Sequence, residues 1–318
     1  MTSPKKVICQ ECKKEFDSDS ALHKHLKAHN LTVAEYYTKF FPRKNALTQE
    51  LLPFKNKADY FNQDFTTRAQ MIKWCEQCKE KDLVKEYILK QLRLRVEKNK
   101  YKYGPNHIEI EINKLPPIDI YKRNFGGYGQ ACKELGLEPL YSKGVNKNLL
   151  EKSSKIESIE IHIDTREQQP LSFKHSRSHK LDFGDYTMSG KNYTYTYVDR
   201  KSESDFKGTM GAGFKRFTKE LQRAKDFNAY LYIVVEKSIE QIAKNNFYLK
   251  RNKMKGAVNM DYIWHNMRVL AHDFKGNCQF VFSGSRRNSE LLIPNLLHYG
   301  SQLWNVDIQY LLDSYDLD

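Results

Sequence analysis

Asp182-Phe183-Gly184-Asp185-Tyr186 and Val198-Asp199-Arg200-Lys201-Ser202 are the two stretches that most constrain the architecture of this chain. Alternating aromatic, threonine and apolar residues predict strands over 180–188 and 193–199. We expect Asp185 and Asp199 to end neighbouring strands, so that both carboxylates lie at one edge of a sheet. Lys201 follows Asp199 by two residues, so its side chain points to the same face of the strand.

The residues around these stretches alternate between strand and helix patterns. Residues 229–235 form a continuous apolar run, which is typical of a strand buried on both faces. Further strands are predicted over 159–163 and 278–282, and helices over 213–227, 261–274 and 289–304. This alternation predicts an α/β domain over 159–318, with a mixed sheet flanked by helices.

Two carboxylates and a lysine at one sheet edge are the minimum equipment for hydrolysing a phosphodiester with a divalent metal. Asp185 and Asp199 supply the oxygen ligands that Mg²⁺ or Mn²⁺ requires. Lys201 can orient or deprotonate the attacking water and offset the charge that develops on the phosphate. An Asp followed by Asp or Glu, any residue and Lys is the PD-(D/E)XK nuclease signature, which chance can also produce.

The neighbouring residues extend this pattern over 161–236. Ile163-Asp164-Thr165-Arg166-Glu167 precedes it, Asp205 follows Lys201 after three residues, and Arg216 and Glu220 lie on the next predicted helix. Together these motifs resemble the XPF-type nuclease domain, a restriction-endonuclease-like fold with a Val-Asp-x-Arg-Glu opening, a Gly-Asp and Glu-Arg-Lys-x3-Asp centre and an Arg-x3-Gln helix. Asp199 replaces that family's usual Glu, Glu220 replaces its Gln, and we find no tandem helix-hairpin-helix modules in the sequence.

The resemblance implies a metal-dependent DNA endonuclease and assigns roles residue by residue. It makes Asp185 and Asp199 metal ligands and Lys201 the group beside the water. It makes Asp164 a further metal ligand or a supporting carboxylate. The remaining motif residues are implied to brace the site or contact phosphate: Arg166, Glu167, Arg200, Asp205 and Arg216. A surface salt bridge is the alternative for Glu167 and Asp205.

Cys9, Cys12, His25 and His29 have the Cys-x2-Cys-x12-His-x3-His spacing of a Cys2His2 zinc finger. A hairpin presents two thiolates and one helical turn presents two imidazoles, which together complete a tetrahedron around Zn²⁺. The module and its tail, residues 1–45, are too small to fold without the metal. Fingers read DNA or bind protein, and the candidate DNA contacts here are Lys24 and Lys27.

Residues 81–142 show a mostly helical pattern after a connecting helical segment over 46–80. The stretch 120–137, Ile-Tyr-Lys-Arg-Asn-Phe-Gly-Gly-Tyr-Gly-Gln-Ala-Cys-Lys-Glu-Leu-Gly-Leu, resembles the repeat associated with homing endonucleases. That resemblance implies a small DNA-binding unit in which Lys122, Arg123 and Lys133 contact phosphates or bases. An ordinary helical packing domain is the alternative. A polar linker is predicted over 143–158.

The chain of 318 residues has a net charge of +14, and residues 1–150 hold 28 basic against 18 acidic residues. Nucleic acid, most simply duplex DNA, is therefore the expected partner. No apolar run approaches the length of a membrane span, and the N-terminus lacks an apolar signal core. We therefore expect an intracellular protein of the cytoplasm or nucleoid, encoded by a cell or by a virus within its host.

Together the modules predict a homing or mobile-element endonuclease, such as phages carry, that nicks one strand at each active site. A double-strand break would require a homodimer or two visits to the DNA. The first alternative is a structure-specific nuclease that cuts flaps or junctions. The second is a non-catalytic DNA-binding regulator that keeps the fold, although the full set of Asp185, Asp199 and Lys201 argues against it.

Overall fold

The computed structural model describes residues 6–142, 156, 159–191, 193–244 and 259–314, and these residues form two compact units. One unit contains the described residues up to Lys98 together with Leu115–Gly127. The other contains Asn99–Lys114 and the described residues from Tyr128 onward. Apart from Ile156, the linker predicted over 143–158 lies outside the described residues.

Helices dominate the first unit, whereas the second combines helices with a larger sheet. The strands are β1 (Val7–Ile8), β2 (Glu15–Phe16), β3 (Ile161–Asp164), β4 (Ser176–His179), β5 (Tyr186–Met188), β6 (Thr196–Lys201), β7 (Tyr230–Val235) and β8 (Cys278–Phe282). The α-helices are α1 (Asp19–His25), α2 (Val33–Phe40), α3 (Lys57–Asn62), α4 (Arg68–Gln77), α5 (Lys81–Asn99), α6 (His107–Ile112), α7 (Ile118–Phe125), α8 (Tyr128–Lys133), α9 (Glu203–Met210), α10 (Phe214–Asp226), α11 (Ile239–Lys244), α12 (Met260–Asp273), α13 (Arg286–Tyr299) and α14 (Ile308–Ser314). None of the helices described is long and apolar enough to cross a membrane.

A small hairpin and an aromatic cluster organise the N-terminal part of the first unit. β1 pairs antiparallel with β2, and the Ser18 hydroxyl caps α1 by accepting a hydrogen bond from the Ala21 N–H at 3.2 Å. The finger and the residues that follow it form one buried hydrophobic cluster. Its members include Leu22, Leu26, Tyr36, Tyr37, Leu52 and Tyr60. Its hydrophobic core therefore extends beyond residue 45, because aromatic side chains further along the chain complete it.

The second unit is built on a six-stranded sheet with the order β4-β3-β5-β6-β7-β8. β5 pairs antiparallel with β3 and β6, whereas the other neighbouring strands are parallel. All six residues of β7 are buried, as its continuous apolar run predicts. One face of the sheet packs against α9, α10 and α12, and the other against α13 and α14. The predicted mixed sheet flanked by helices is confirmed.

Two strand predictions differ from the structure. The strand predicted over 180–188 is limited to β5, since residues 181–185 form a loop. The sequence does not predict β4, because its residues Ser-Arg-Ser-His are all exposed and polar and show no apolar alternation. An edge strand of this kind gains little from burial, so its sequence shows no hydrophobic pattern.

The helical repeat predicted over 81–142 is divided between the two units. α7 contacts α4 within the first unit. In the second unit, Ile108 of α6 and Leu140 are buried in the core that packs against one face of the sheet. Burial of apolar side chains, and not continuity along the chain, sets the division of this segment.

Candidate active site and metal centre

A cleft of about 200 Å³ in the second unit brings together the carboxylates and the lysine that the sequence singles out. Its lining contains Asp185, Asp199 and Lys201. The other lining residues are Asp164, Arg166, Asp182, Phe183, Gly184, Glu220 and Arg223. The cleft therefore presents charged groups of both signs at close quarters.

Asp185 and Asp199 reach the cleft from antiparallel strands, which corrects one detail of the sequence prediction. Asp185 directly precedes β5, whereas Asp199 lies near the end of β6. The register pairs Tyr186 with Val198, and in an antiparallel pair the beginning of one strand lies beside the end of the next. The expectation that each carboxylate ends its strand is wrong for Asp185, although the two residues still meet.

Gly184 allows the chain to bring Asp185 close to β6. Its φ is +56°, and a β-carbon there would lie 2.6 Å from the Val198 carbonyl oxygen. A side chain would therefore strain the backbone and collide with β6. The Asp185 N–H donates to that same carbonyl at 2.8 Å, and the Arg200 N–H donates to Asp185 Oδ2 at 2.7 Å. These bonds hold the Asp185 carboxylate against the strand that carries Asp199.

Lys201 and Asp199 form a buried ion pair on one face of β6. Lys201 Nζ lies 2.9 Å from Asp199 Oδ1 and 5.0 Å from the centre of the Phe217 ring. Although burial alone disfavours an ammonium ion, Asp199 and Asp185 outweigh it and raise the pKa of Lys201. Lys201 is therefore a cation in this state, which suits it to orient water or offset charge rather than to accept a proton.

Burial and the neighbouring Asp199 raise the pKa of Asp185 to about 8. Carboxylates that share a confined site repel, so one of them retains a proton until a cation compensates the charge. Glu220 adds a third carboxyl group, and burial followed by Asp199 raises its pKa as well. Within the described part of the chain, no hydrogen bond or ion pair engages the Glu220 side chain. The cleft thus holds more carboxyl groups than its own cations can neutralise.

Asp164 also lines the cleft, but both of its oxygens are engaged. Oδ1 accepts hydrogen bonds from the backbone N–H and Nε of Arg166, both at 2.7 Å. Oδ2 accepts from Arg166 Nη2 at 3.0 Å and from the Leu181 N–H at 2.8 Å. Burial opposes ionisation, yet the bonds from Arg166 and Leu181 prevail and lower the pKa of Asp164 to about 2. These contacts favour the supporting role for Asp164, which holds the loop that leads to Asp185.

Arg200 joins a buried ion network instead of lining the cleft. Its guanidinium lies 3.0 Å from Glu167 and 3.1 Å from Glu236, and its side chain is 11% exposed. Glu167 also accepts a hydrogen bond from the Gln169 N–H at 2.8 Å. The network ties β6 to the end of β7 and to the loop after β3, so these contacts favour a bracing role for Arg200 and Glu167.

Asp205 and Arg216 are absent from the described lining of the cleft. The Ser202 hydroxyl accepts a hydrogen bond from the Asp205 N–H at 3.2 Å and donates one to Asp205 Oδ2 at 2.6 Å. Asp205 therefore stabilises the first turn of α9, directly after β6. Arg216 is exposed on α10, one helical turn before Glu220.

α10 contributes two cleft residues to which the sequence analysis gave no role, Glu220 and Arg223. The helix itself is predicted correctly, with Phe217 and Leu221 buried. Arg216, Glu220 and Arg223 recur at the spacing of one helical face. That periodicity, beside the buried stripe, is the sequence signal that could have indicated them.

In the first unit, the ligand atoms of Cys9, Cys12, His25 and His29 all lie within 4.8 Å of one another. Cys12 Sγ is 3.2 Å from His25 Nε2, Cys9 Sγ is 3.7 Å from His29 Nε2, and the two Nε2 atoms are 3.0 Å apart. Ligands at about 2.0–2.3 Å from a common tetrahedral centre have separations of this size. The predicted Cys and His cluster is therefore present.

The predicted DNA contacts are all exposed: Lys24, Lys27, Lys122, Arg123 and Lys133. The first four belong to the first unit and Lys133 to the second. Arg123 forms a surface ion pair with Glu76 at 2.9 Å. An exposed pair contributes at most about 1 kcal/mol, so a phosphate can replace the carboxylate at little cost.

Comparisons with known proteins add little to this geometry. No protein-family model and no curated protein matches the chain. Solved structures that are similar to part of it include XPF from Aeropyrum pernix in complex with DNA and XPF from the same organism. The first is 18% identical with a TM-score of 0.33 and covers 45% of this chain and 66% of that chain. The second is 17% identical with a TM-score of 0.33 and covers 45% and 61%. The chain thus spans less than two thirds of either structure, and likeness at this level assigns neither a family nor an activity.

Proposed function

We propose that the second unit is a divalent-metal-dependent nuclease that hydrolyses phosphodiester bonds of DNA at the cleft. The observation that carries the proposal is the meeting of Asp185, Asp199 and Lys201 in one cleft, with Glu220 as a third carboxyl group. This set provides anionic oxygens for a hard cation and a fixed positive charge beside them.

The donor set fits Mg²⁺ or Mn²⁺. Both cations take carboxylate oxygens and water as ligands, and the raised pKa of Asp185 marks a place where burial and Asp199 concentrate negative charge. Asp185 and Asp199 are the proposed ligands, with Glu220 available beside them. A cation bound there supplies charge that polarises a phosphate and lowers the pKa of a water molecule.

The residues of the cleft then have distinct roles. Lys201, as an ammonium ion, orients the attacking water and offsets the negative charge that grows on the phosphate. The Arg166 side chain is 64% exposed at the cleft, and it is proposed to contact a phosphate next to the scissile bond. Asp164 holds the loop that carries Asp185, so it acts on the cation through that residue.

We further propose that the first unit holds one Zn²⁺ and binds duplex DNA. Thiolates and imidazoles are the ligands that zinc prefers, and Cys9, Cys12, His25 and His29 converge at suitable distances. The net charge of +14 favours a polyanionic partner. The proposed phosphate or base contacts are Lys24, Lys27, Lys122 and Arg123, with Lys133 of the second unit.

Sequence-guided cutting is the proposed mode of action, as in a homing endonuclease carried by a phage or another mobile element inside a cell. Exposed basic residues outside the cleft support it, because such side chains can contact base edges as well as phosphates before cleavage. One active site in each chain gives a nick, and a homodimer would cut both strands. A structure-specific flap or junction nuclease is the second candidate, favoured by the exposed ring of Phe227, which contacts the cleft residue Phe183.

Nicking of supercoiled plasmid by the purified protein with Mg²⁺ tests the nuclease proposal. We expect nicked circles from the wild type and none from Asp185→Asn or Lys201→Met. Asp261→Asn is the matched control, because Asp261 is an exposed carboxylate in the first turn of α12, and it should cut as the wild type does. Cleavage retained by a folded Asp185→Asn protein would contradict the proposal. DNA binding without cleavage by the wild type would support a regulator.

Sequencing the cut ends separates the two nuclease candidates. The protein is given genomic duplex DNA in one reaction, and in another a mixture of flap, junction and linear substrates of unrelated sequence. Ends that recur at one sequence support sequence-guided cutting. Ends that follow the branch point whatever its sequence support the structure-specific enzyme.

A further inference from the structure

A single face of α10 connects the cleft with an exposed aromatic ring. Arg216, Glu220, Arg223 and Phe227 follow one another at intervals of four, three and four residues, which places them in one stripe along the helix. Glu220 and Arg223 line the cleft. The stripe therefore continues from the cleft to the C-terminal end of the helix, where Phe227 lies.

Phe227 is exposed at the C-terminal end of α10 and contacts a buried aromatic ring. It is 67% exposed, the largest value among the exposed large hydrophobic residues of the described chain. Its N–H donates to the carbonyls of Arg223 and Ala224, each at 3.2 Å. Its ring centre lies 6.0 Å from that of Phe183, a buried residue that lines the cleft. The ring thus rests against a buried aromatic neighbour while most of its surface meets solvent.

Arg223 contacts the same buried ring from its own position on the stripe. The guanidinium carbon lies 5.0 Å from the centre of Phe183, and Nη2 donates a hydrogen bond to the Asp182 carbonyl at 2.8 Å. A planar cation and an aromatic ring therefore both lie against Phe183 at the border of the cleft.

We propose that Phe227 and Arg223 form a stacking site for an unpaired base of the DNA strand whose phosphate lies in the cleft. This inference rests on the proposed nuclease function. Aromatic rings and guanidinium planes stack on bases of any sequence. Neighbouring bases already cover each internal base of a duplex, so the site accepts a base at a flap, a junction or a frayed end. The arginines of the stripe and its continuity with the cleft favour a nucleic acid over a protein partner.

Binding without cleavage tests the stacking site. Full-length Asp185→Asn protein is titrated, with no added divalent cation, into a duplex that has a single-stranded flap and into a blunt duplex of the same sequence. Fluorescence anisotropy gives both dissociation constants, and 2-aminopurine in the flap reports stacking by a loss of emission. Adding Phe227→Ala should weaken flap binding about tenfold and leave blunt-duplex binding within about twofold. Phe227→Trp should retain both affinities.

Tyr262→Ala is the matched control, because Tyr262 is an aromatic residue that is 50% exposed on α12, and both affinities should stay unchanged. Equal flap affinity with and without Phe227 overturns the proposal, as does an equal loss for both DNAs or unchanged 2-aminopurine emission. Failure of the nuclease proposal looks different. A wild-type protein that stacks on the flap but never cleaves contradicts the nuclease alone, and one that cleaves but is indifferent to Phe227→Ala contradicts the stacking site alone.

Discussion

Asp185 combines burial with a like-charged neighbour, and both raise its pKa to about 8. An unfolded aspartate ionises near its ordinary value of 3.8, so the folded protein keeps a proton that the unfolded chain releases between these two values. Increasing pH within that window therefore favours the unfolded chain. A divalent cation opposes this effect, because it binds the ionised carboxylate of the folded protein.

We therefore expect the wild-type protein, without added divalent cation, to lose thermal stability as the pH rises from about 4 to about 8. Asp185→Asn removes the titrating group, so its melting temperature should depend less on pH and exceed that of the wild type near pH 8. Mg²⁺ should stabilise the wild type at that pH and have little effect on the variant. Differential scanning fluorimetry checks all three, and a wild type that gains stability relative to the variant on increasing pH would refute the assignment.

Gly184 is the second residue whose surroundings permit a sharp prediction. A residue with a β-carbon in a left-handed backbone conformation costs roughly 1–2 kcal/mol. Gly184→Ala should destabilise the second unit by more than this, because the alanine β-carbon also collides with the Val198 carbonyl. Gly276→Ala is the control, since Gly276 has a φ of +90° but nothing within 4 Å of a β-carbon. Urea unfolding gives both free energies. Equal losses for the two variants would show that the close approach to β6 is unimportant.

The two faces of the strand β6 have different roles. Asp199 and Lys201 face the cleft, and Arg200 between them joins the ion network with Glu167 and Glu236. The shared face of Asp199 and Lys201 follows from the two-residue period of a strand, and the 2.9 Å contact confirms that prediction. The partners of Arg200 come from distant segments, so spacing along the chain does not predict them.

Removing the Arg200 guanidinium should destabilise the second unit strongly. Arg200→Met leaves the carboxylates of Glu167 and Glu236 in a buried place without their shared cation, and a loss of about 3 kcal/mol is expected. Arg287→Met is the control because Arg287 is exposed on α13, and it should change stability by less than about 0.5 kcal/mol. Chemical denaturation measures both. A mild effect of Arg200→Met would mean that the network does not brace β6.

For the molecule as a whole, the two units have separate hydrophobic cores, so metal at the Cys and His cluster should stabilise the first without supporting the second. The wild type should contain one zinc ion per chain, and Cys12→Ser should contain none. The variant should also show faster hydrogen exchange in residues 7–61, because zinc ligation contributes directly to folding. Peptides from β6 and β7 should keep their protection. Mass spectrometry measures the metal content and the exchange on the same samples.

Cys78→Ser is the control for the zinc prediction, since Cys78 is a partly buried thiol outside the cluster. It should retain the zinc and the wild-type exchange pattern. If the folded wild type is found to contain no zinc, or if Cys12→Ser leaves the exchange unchanged, the aromatic cluster is sufficient to fold the finger. The aromatic cluster extends to Tyr60, so amides near its aromatic residues should keep part of their protection from exchange in the Cys12→Ser protein.

Features that depend on residues close in sequence could be predicted from the chain alone. The continuous apolar run identifies β7, and the period of two predicts the shared face of Asp199 and Lys201. The period of 3.6 identifies α10, and fixed spacing identifies the Cys and His cluster. Each follows from local backbone geometry, which repeats regardless of what lies across the fold.

Features that depend on long-range packing had to come from the folded chain. The antiparallel pairing that places Asp185 directly before β5 and the bond from Leu181 to Asp164 each join two separate segments of the chain. The entry of Glu220 and Arg223 into the cleft likewise depends on how α10 packs against the sheet. The division of 81–142 between two cores is of the same kind. Burial of apolar surface selects these partners, and that free energy belongs to the packed chain as a whole and leaves no local pattern.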